Sequence, residues 1–345
     1  PGADYDRLFE AALCRAKADW LVGITGTRLF STLYHRTLSV GRVMTPTLAL
    51  VVERENAIEG FKKEKFYVVE LACGFPAASD RLQERKAADK LQAACTGQTA
   101  VVRSVEKKQK STQPPKLYDL TSLQRDGNRL MGYTAQQVLD YAQALYEKKL
   151  LTYPRTDSNY LTEDTAATVP GLVEVAVQSL PFSVEVGPPD VARVVDGSKV
   201  SDHHALLPTM QVRSDTLAAL PAGERNVLTL VIVRLLCAVG EKQVYEDTAA
   251  ALECGGVSFS ARGRVVTVPG WKAIEQMFLS TLKQKTEKEE PEARALPPLA
   301  EGQTYSGCKA AVREGATSPP KHFTEDLLLS AMEHASAEEF AEIEG

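Results

Sequence analysis

Apolar residues open the chain at helical spacing. Leu8, Ala12, Ala16 and Trp20 share one face, and the pattern predicts helix through most of residues 4–57. A turn at Ser39-Val40-Gly41-Arg42 interrupts it. A second helical run from Thr45 to Glu55 tolerates Pro46 in its first turn, where backbone N–H groups have no intrahelical partner. After Phe61 the period changes, and the β-branched and aromatic stretches Phe66 to Cys73 and Thr99 to Val105 read as strands. Ser111-Thr112-Gln113-Pro114-Pro115 punctuates the chain, and helices return. Thr134-Ala135-Gln136-Gln137 forms a capping box for a helix running to about Lys148, with Lys148 and Lys149 at its negative end. Thr162 is placed to cap a helix over residues 163–178, and Ala222 to Val239 is a long apolar helical run. Thr248 to Cys254, Val257 to Ala261 and Arg264 to Val268 then read as a meander of short strands, turning at Gly255-Gly256 and Arg262-Gly263. Residues 283–298 are charged and proline-bearing and read as a loop, and Thr324 caps a last helix.

The resulting class is α+β and multi-domain. Helical and strand-rich segments alternate as 1–59, 60–113, 114–239, 240–312 and 313–345, an order that suggests discontinuous domains, with a β layer entered and left twice.

Composition changes this picture little. Apolar residues make up 44% of the 345 and charged residues 25%, as in ordinary globular proteins. No apolar run approaches the roughly 20 residues that span a bilayer, so no membrane partner is expected. No basic segment followed by an apolar one opens the chain, and a cytoplasmic location is expected. The six cysteines are scattered without a C-x-x-C pair, which argues against zinc fingers or a disulfide framework and for reduced core thiols. A net charge of −5 is unpromising for a nucleic-acid binder, but it is unevenly spread: residues 103–155 hold ten Lys or Arg against five Asp or Glu.

Candidate chemistry concentrates in Leu150-Leu151-Thr152-Tyr153-Pro154-Arg155-Thr156-Asp157-Ser158. A tyrosine with an ordinary pKa of about 10 is a poor nucleophile, but it suits attack on a phosphodiester when a nearby cation stabilises the developing charge. Ser201-Asp202-His203-His204-Ala205-Leu206-Leu207-Pro208 offers imidazoles able to donate to a phosphate or a leaving oxygen. Gly41-Arg42 ahead of the Thr45 helix places a guanidinium where it can pair with phosphate. Arg15 and Asp19, four apart, share a helix face. Thr121-Ser122-Leu123-Gln124 adds hydrogen-bonding groups upstream of the tyrosine.

Taken together and in this order, these segments resemble type IA DNA topoisomerases, and the Pro154 variant and the spacing resemble the bacterial topoisomerase III branch. The resemblance implies a toroid-like core of helical domains and an antiparallel β arch. In it Tyr153 would form a 5′-phosphotyrosine with one DNA strand, with Arg155 and His203 as its catalytic partners. Arg15, Asp19, Arg42, Ser122, Gln124 and His204 would contact DNA, single-stranded above all. Many members carry glutamine where this chain has Met44, which puts any base or sugar contact there in question. The family's Toprim domain, which supplies carboxylates for Mg²⁺, is expected before residue 1. No metal ligand or other cofactor is expected within these residues, and the chain is expected to be a monomer that binds single strands without relaxing supercoils. Two other readings stay open on the residues alone: a tyrosine nickase of the relaxase type, and a non-enzymatic single-strand-binding module in which Tyr153 stacks on a base.

Overall fold

The computed structural model describes residues 2–282 and 295–335. The part of the expected loop 283–298 that covers 283–294 lies outside them. The chain divides into two compact units, residues 1–62 with 319–345, and residues 63–318.

The first unit is helical. Helix α1 spans Asp6–Leu33, α2 Met44–Glu59, and the last helix of the chain returns to it. The helical periodicity expected for residues 4–57 is present, but its apolar face is uncovered: Leu8 is 68% exposed and Trp20 63%. With only helices in this unit, no residue of α1 or α2 is buried. The loop between them is pinned back on α1. Val40 N–H donates to Thr27 Oγ1 at 2.9 Å and Leu38 N–H to Ser31 Oγ at 2.9 Å. Gly26 permits this approach, because a Cβ there would lie 2.9 Å from Val40 Cγ1.

The second unit holds two cores. Strands β1 (Lys65–Ala72) and β2 (Pro76–Ala78), helix α3 (Arg85–Cys95) and strand β3 (Ala100–Thr112) begin the first. Helices α4 (Leu120–Met131), α5 (Ala135–Glu147), α6 (Glu163–Ala166), α7 (Val169–Ser179), α8 (Ser214–Ala219) and α9 (Ala222–Ala238) build the second. Strands β4 (Gln243–Cys254) and β5 (Val257–Val268) then rejoin the sheet, α10 (Trp271–Thr281) packs back on α9, and β6 (Thr304–Tyr305) and β7 (Lys309–Ala316) complete the sheet. Helix α11 (Glu325–His334) belongs to the first unit, capped as expected by Thr324, whose Oγ1 accepts from Leu327 N–H.

The seven strands order β6-β3-β4-β5-β2-β1-β7, every adjacent pair antiparallel. Alternation along β1 buries Tyr67, Val69 and Leu71, and α3 covers that face with Ala88 and Cys95. In the helical core α9 is apolar on all sides: Val227 to Val233 and Leu235 to Val239 are all buried, as its long apolar run requires. Helices α4 and α5 approach closely at Gly127, where a Cβ would lie 2.6 Å from Val138 Cγ2.

Three expectations are corrected. The meander of three short strands is two long ones, because Gly263 pairs with Thr248 within the ladder instead of turning. Strand β3 runs seven residues past Val105, its polar half held by cross-strand ion pairs Lys107–Glu246 (3.2 Å) and Lys110–Asp247 (3.0 Å). The helix over 163–178 is broken into α6 and α7, with Pro170 in the first turn of the second. Thr162 caps neither, since its hydroxyl pairs with that of Thr165 at 2.9 Å.

Candidate active site

The tyrosine sits where a helix is brought to a sharp end. Thr134 and Gln137 form the expected capping box at the start of α5. At its far end Leu150 N–H donates to Leu145 O and Lys149 N–H to Tyr146 O, both at 2.9 Å, the paired bonds of a Schellman turn. Such a turn needs a left-handed residue, usually glycine, and Lys149 takes that place with φ 60°. A side chain there costs about 1 kcal/mol. Lys148 also pairs with the buried Glu224 of α9, fixing the end of α5 to the core.

Beyond the turn, the tyrosine segment is zipped to the histidine segment. Leu151 bridges Pro208, and Thr209 N–H donates to Leu150 O at 3.1 Å. Thr152 N–H donates to Leu207 O (3.0 Å), and Leu207 N–H returns a bond to Thr152 Oγ1 (2.9 Å). On the other side of the tyrosine, the buried Thr156 donates its hydroxyl to His203 O at 2.8 Å, while its own carbonyl accepts from Leu120 N–H. Ser201 donates to Asp157 Oδ1 at 3.2 Å. With Leu151, Pro154 and Thr156 buried, Tyr153 and Arg155 are turned outward from a fixed strip.

The Tyr153 ring lies between two others. His203 is 4.5 Å away by ring centroid, tilted 48°, and Tyr146 meets it edge-on at 5.4 Å and 79°. Arg155 is exposed and has no ion pair or hydrogen bond among the described residues. A hydroxyl, an imidazole and an uncommitted guanidinium therefore share one surface, an arrangement able to attack a phosphodiester and stabilise the charge that develops.

Tyr146 was not singled out in the sequence. It lies seven residues before Tyr153, a spacing that means nothing on a continuous helix, and only the reversal at Lys149 brings the two rings together. Tyr160 was also missed: the ammonium groups of Lys199 and Lys116 lie 4.6 and 5.3 Å from its ring.

The remaining candidates have other immediate roles. Ser122 closes the capping box of α4, its N–H donating to Asp119 Oδ1 at 2.7 Å. Gln124 donates to Ala135 O at 2.9 Å and ties α4 to α5. His204 Nδ1 lies 2.7 Å from Ala205 O. In the first unit Asp19 pairs with Arg42 (3.5 Å) and not with Arg15, although the helix spacing allowed the latter. Arg15 is exposed. Met44 lines an open apolar groove with Val43, Leu48, Val51 and Met332 and offers it no hydrogen bond.

Tyr118, whose carbonyl accepts from Leu206 N–H of the histidine segment, anchors a partly buried charge cluster. Arg234 of α9 stacks its guanidinium 4.1 Å over the Tyr118 ring, bonds the Tyr118 hydroxyl at 3.1 Å and pairs with Asp126. Burial pushes the Asp126 carboxyl up, but Arg234, Arg129 and the Tyr118 hydroxyl outweigh it and hold the acid below its usual range. Burial pushes the Tyr118 hydroxyl well above its ordinary value.

Among the described residues no group of three or more His, Cys, Asp or Glu side chains could hold a metal ion. The Mg²⁺ that the family resemblance implies finds no such group among the described residues. No described helix is long and apolar enough to cross a membrane.

Comparison with known proteins agrees with this architecture. The DNA topoisomerase family (Topoisom_bac) matches residues 3–337. DNA topoisomerase 3 of Bacillus licheniformis is 37% identical over 97% of this chain and 47% of its own length, and that of Bacillus subtilis (strain 168) is 36% identical over the same shares. The chain thus spans about half the length of these relatives. Full-length topoisomerase I from Thermotoga maritima shares the fold, with a TM-score of 0.70 at 23% identity over 94% of this chain and 53% of that one. With the family match running nearly end to end and its relatives named topoisomerase 3, the chain belongs to the DNA topoisomerase family, as a type IA, topoisomerase III-like member.

Proposed function

We propose that this chain is the strand-cleaving core of a topoisomerase that cuts one DNA strand through Tyr153, lets another strand pass and rejoins the first without ATP. One observation carries the reading: the Tyr153 ring is held between His203 and Tyr146 on a rigid strip, with the free guanidinium of Arg155 two residues away.

In the proposed step, Tyr153 Oη attacks a backbone phosphorus and loses its proton. The P–O3′ bond breaks, its electron pair leaves on the 3′ oxygen, and that oxygen takes up a proton. The 5′-phosphate remains on the tyrosine, so the phosphodiester's free energy is kept and the reverse attack reseals the strand. Arg155 stabilises charge on the non-bridging oxygens, and His203 hydrogen-bonds the phosphate or the leaving oxygen. Arg15 and Arg42 grip phosphates of a single strand, with Asp19 orienting Arg42. Ser122, Gln124 and His204 keep the internal bonds described above, so each meets DNA through its remaining atoms.

The test is cleavage of a single-stranded oligonucleotide labelled differently at its two ends, by a protein of the relatives' full length. A denaturation-resistant adduct carrying the label on the 5′-phosphate side is expected, and an adduct on the 3′-phosphate side would overturn the reading. For the 345-residue chain alone we propose monomeric, weak single-strand binding without relaxation. Mg²⁺-dependent relaxation of supercoiled DNA by the purified chain would contradict that.

Tyr146 gives a subtler prediction. An edge-to-face aromatic contact contributes about 0.5–1.5 kcal/mol. If the contact is what positions Tyr153, Tyr146→Ala should slow single-turnover cleavage roughly three- to tenfold, and Tyr146→Phe should leave it near wild type.

A further inference from the structure

Four of the six cysteines meet in the buried core of the sheet: Cys73 just past β1, Cys95 at the end of α3, Cys254 at the end of β4 and Cys308 just before β7. They are not equivalent. Cys95 Sγ lies 3.4 Å from the carbonyl of Cys254 and Cys254 Sγ 3.7 Å from the carbonyl of Cys95, so each thiol has the other's backbone as well as its side chain for a neighbour. Cys73 and Cys308 instead face each other sulfur to sulfur, 2.6 Å apart.

The backbone explains that contact. The β1–β7 ladder pairs Lys65 with Ala316 and steps one residue on each strand as far as Ala72 with Lys309. Cys73 and Cys308 are the next rung. Residues directly opposite in an antiparallel pair have Cα atoms about 4.5–5.5 Å apart, inside the roughly 4.4–6.8 Å that a disulfide spans. Both are anchored there. Cys73 N–H donates to Phe75 O (3.1 Å), Cys308 N–H to Gln98 O (3.2 Å), and Gly97 N–H to Cys308 O (2.9 Å).

We propose that Cys73 and Cys308 are an oxidisable dithiol, a modification site at which a cross-strand disulfide joins β1 to the start of β7. A small oxidant of the peroxide class balances the reaction. The Cys73 thiolate attacks hydrogen peroxide, forms the sulfenic acid and releases hydroxide. The Cys308 thiolate then attacks that sulfur, the S–O bond breaks, and a second hydroxide leaves. Two thiols and one peroxide give one disulfide and two waters. Cys73, 8% exposed against 1% for Cys308, is the point of entry. Burial, reinforced by the hydrogen bond with Cys308, pushes the Cys73 thiol up to about 12, so the reaction is slow at neutral pH and accelerates as pH rises.

The position gives the bond a consequence. The first unit ends at Lys62 and resumes at Pro319, while β1 starts at Lys65 and β7 ends at Ala316. Both chain crossings between the units leave from this one strand pair. The disulfide fixes its register and encloses residues 73–308, Tyr153 among them, in a covalent loop.

The test uses the whole chain, treated with hydrogen peroxide at pH 8, unfolded, alkylated and mapped without reduction. A single cross-linked peptide pair carrying Cys73 and Cys308 is expected, with the thermal midpoint raised on the order of 5 °C and restored by dithiothreitol. Cys308→Ser should abolish both changes, and Cys14→Ser, at the exposed cysteine, should abolish neither. Recovery of Cys73 and Cys308 as separately alkylated peptides would overturn the proposal. So would a cross-link of either to Cys95 or Cys254, or oxidation of Cys73 to the sulfinic acid without a cross-link.

Discussion

Replacing Tyr153 by phenylalanine in a protein of the relatives' full length is expected to abolish DNA relaxation and the covalent adduct together, while leaving single-strand binding within about twofold. The ring's environment is aromatic and apolar at its faces: Tyr146 meets it edge-on and His203 lies tilted against it. Phenylalanine keeps both contacts and loses only the hydroxyl, so the fold of the strip and the binding surface should survive. The threonine hydroxyls on either side are already committed. Thr152 Oγ1 is committed to Leu207 N–H, and Thr156 Oγ1 to His203 O and Ser158 N–H. Loss of a covalent nucleophile with no substitute removes many powers of ten in rate, far more than the roughly 10²–10³ expected for losing Arg155, a charge-stabilising donor. Relaxation measured by gel and binding measured by fluorescence anisotropy would separate the two effects. Retained relaxation in Tyr153→Phe would place the chemistry elsewhere.

Arg234→Leu should cost about 3 kcal/mol of stability at neutral pH, read from urea unfolding. The change keeps most of the apolar stem but leaves the partly buried Asp126 with Arg129 as its remaining cation and the Tyr118 ring without its guanidinium. The pH dependence follows from the sign of the Asp126 shift. Its folded pKa is depressed, burial notwithstanding, by Arg234 first and Arg129 next. A depressed carboxylate stabilises the fold fully above its unfolded pKa of about 3.9, and that contribution is lost as pH falls through the folded value. In Arg234→Leu the main depressing charge is gone and burial acts with less opposition. The penalty should therefore be largest near pH 7 and shrink below about pH 4. A penalty independent of pH would mean that packing, not charge, sets the role of Arg234.

The local signals in the sequence were good guides to local structure. The Thr134 capping box, the end of α5 at Glu147, the apolar helix α9 and the Thr324 cap all follow from short-range rules. The tyrosine and histidine segments carry a resemblance that agrees with the family match. What the sequence hid was set by partners far along the chain. Lys107 to Thr112 are polar and precede a Pro-Pro pair, yet β4, more than a hundred residues later, supplies Glu246 and Asp247 to hold them in a strand. Leu8 and Trp20 keep helical periodicity without burial, because periodicity reports an amphipathic face and not what covers it. Arg15 and Asp19 stand at the right spacing, but the loop returned by Thr27 and Ser31 offers Asp19 a different arginine. Cys73 and Cys308 are 235 residues apart and meet only through strand register.

We propose that Tyr153 carries the covalent link to DNA. The most direct measurement traps the adduct with a single-stranded oligonucleotide, digests protein and DNA, and locates the residual phosphonucleotide by mass spectrometry. It is expected on the peptide containing Tyr153, attached through the phenolic oxygen to a 5′-phosphate. The same mass on Tyr146, Tyr160 or any serine, with Tyr153 unmodified, would contradict it.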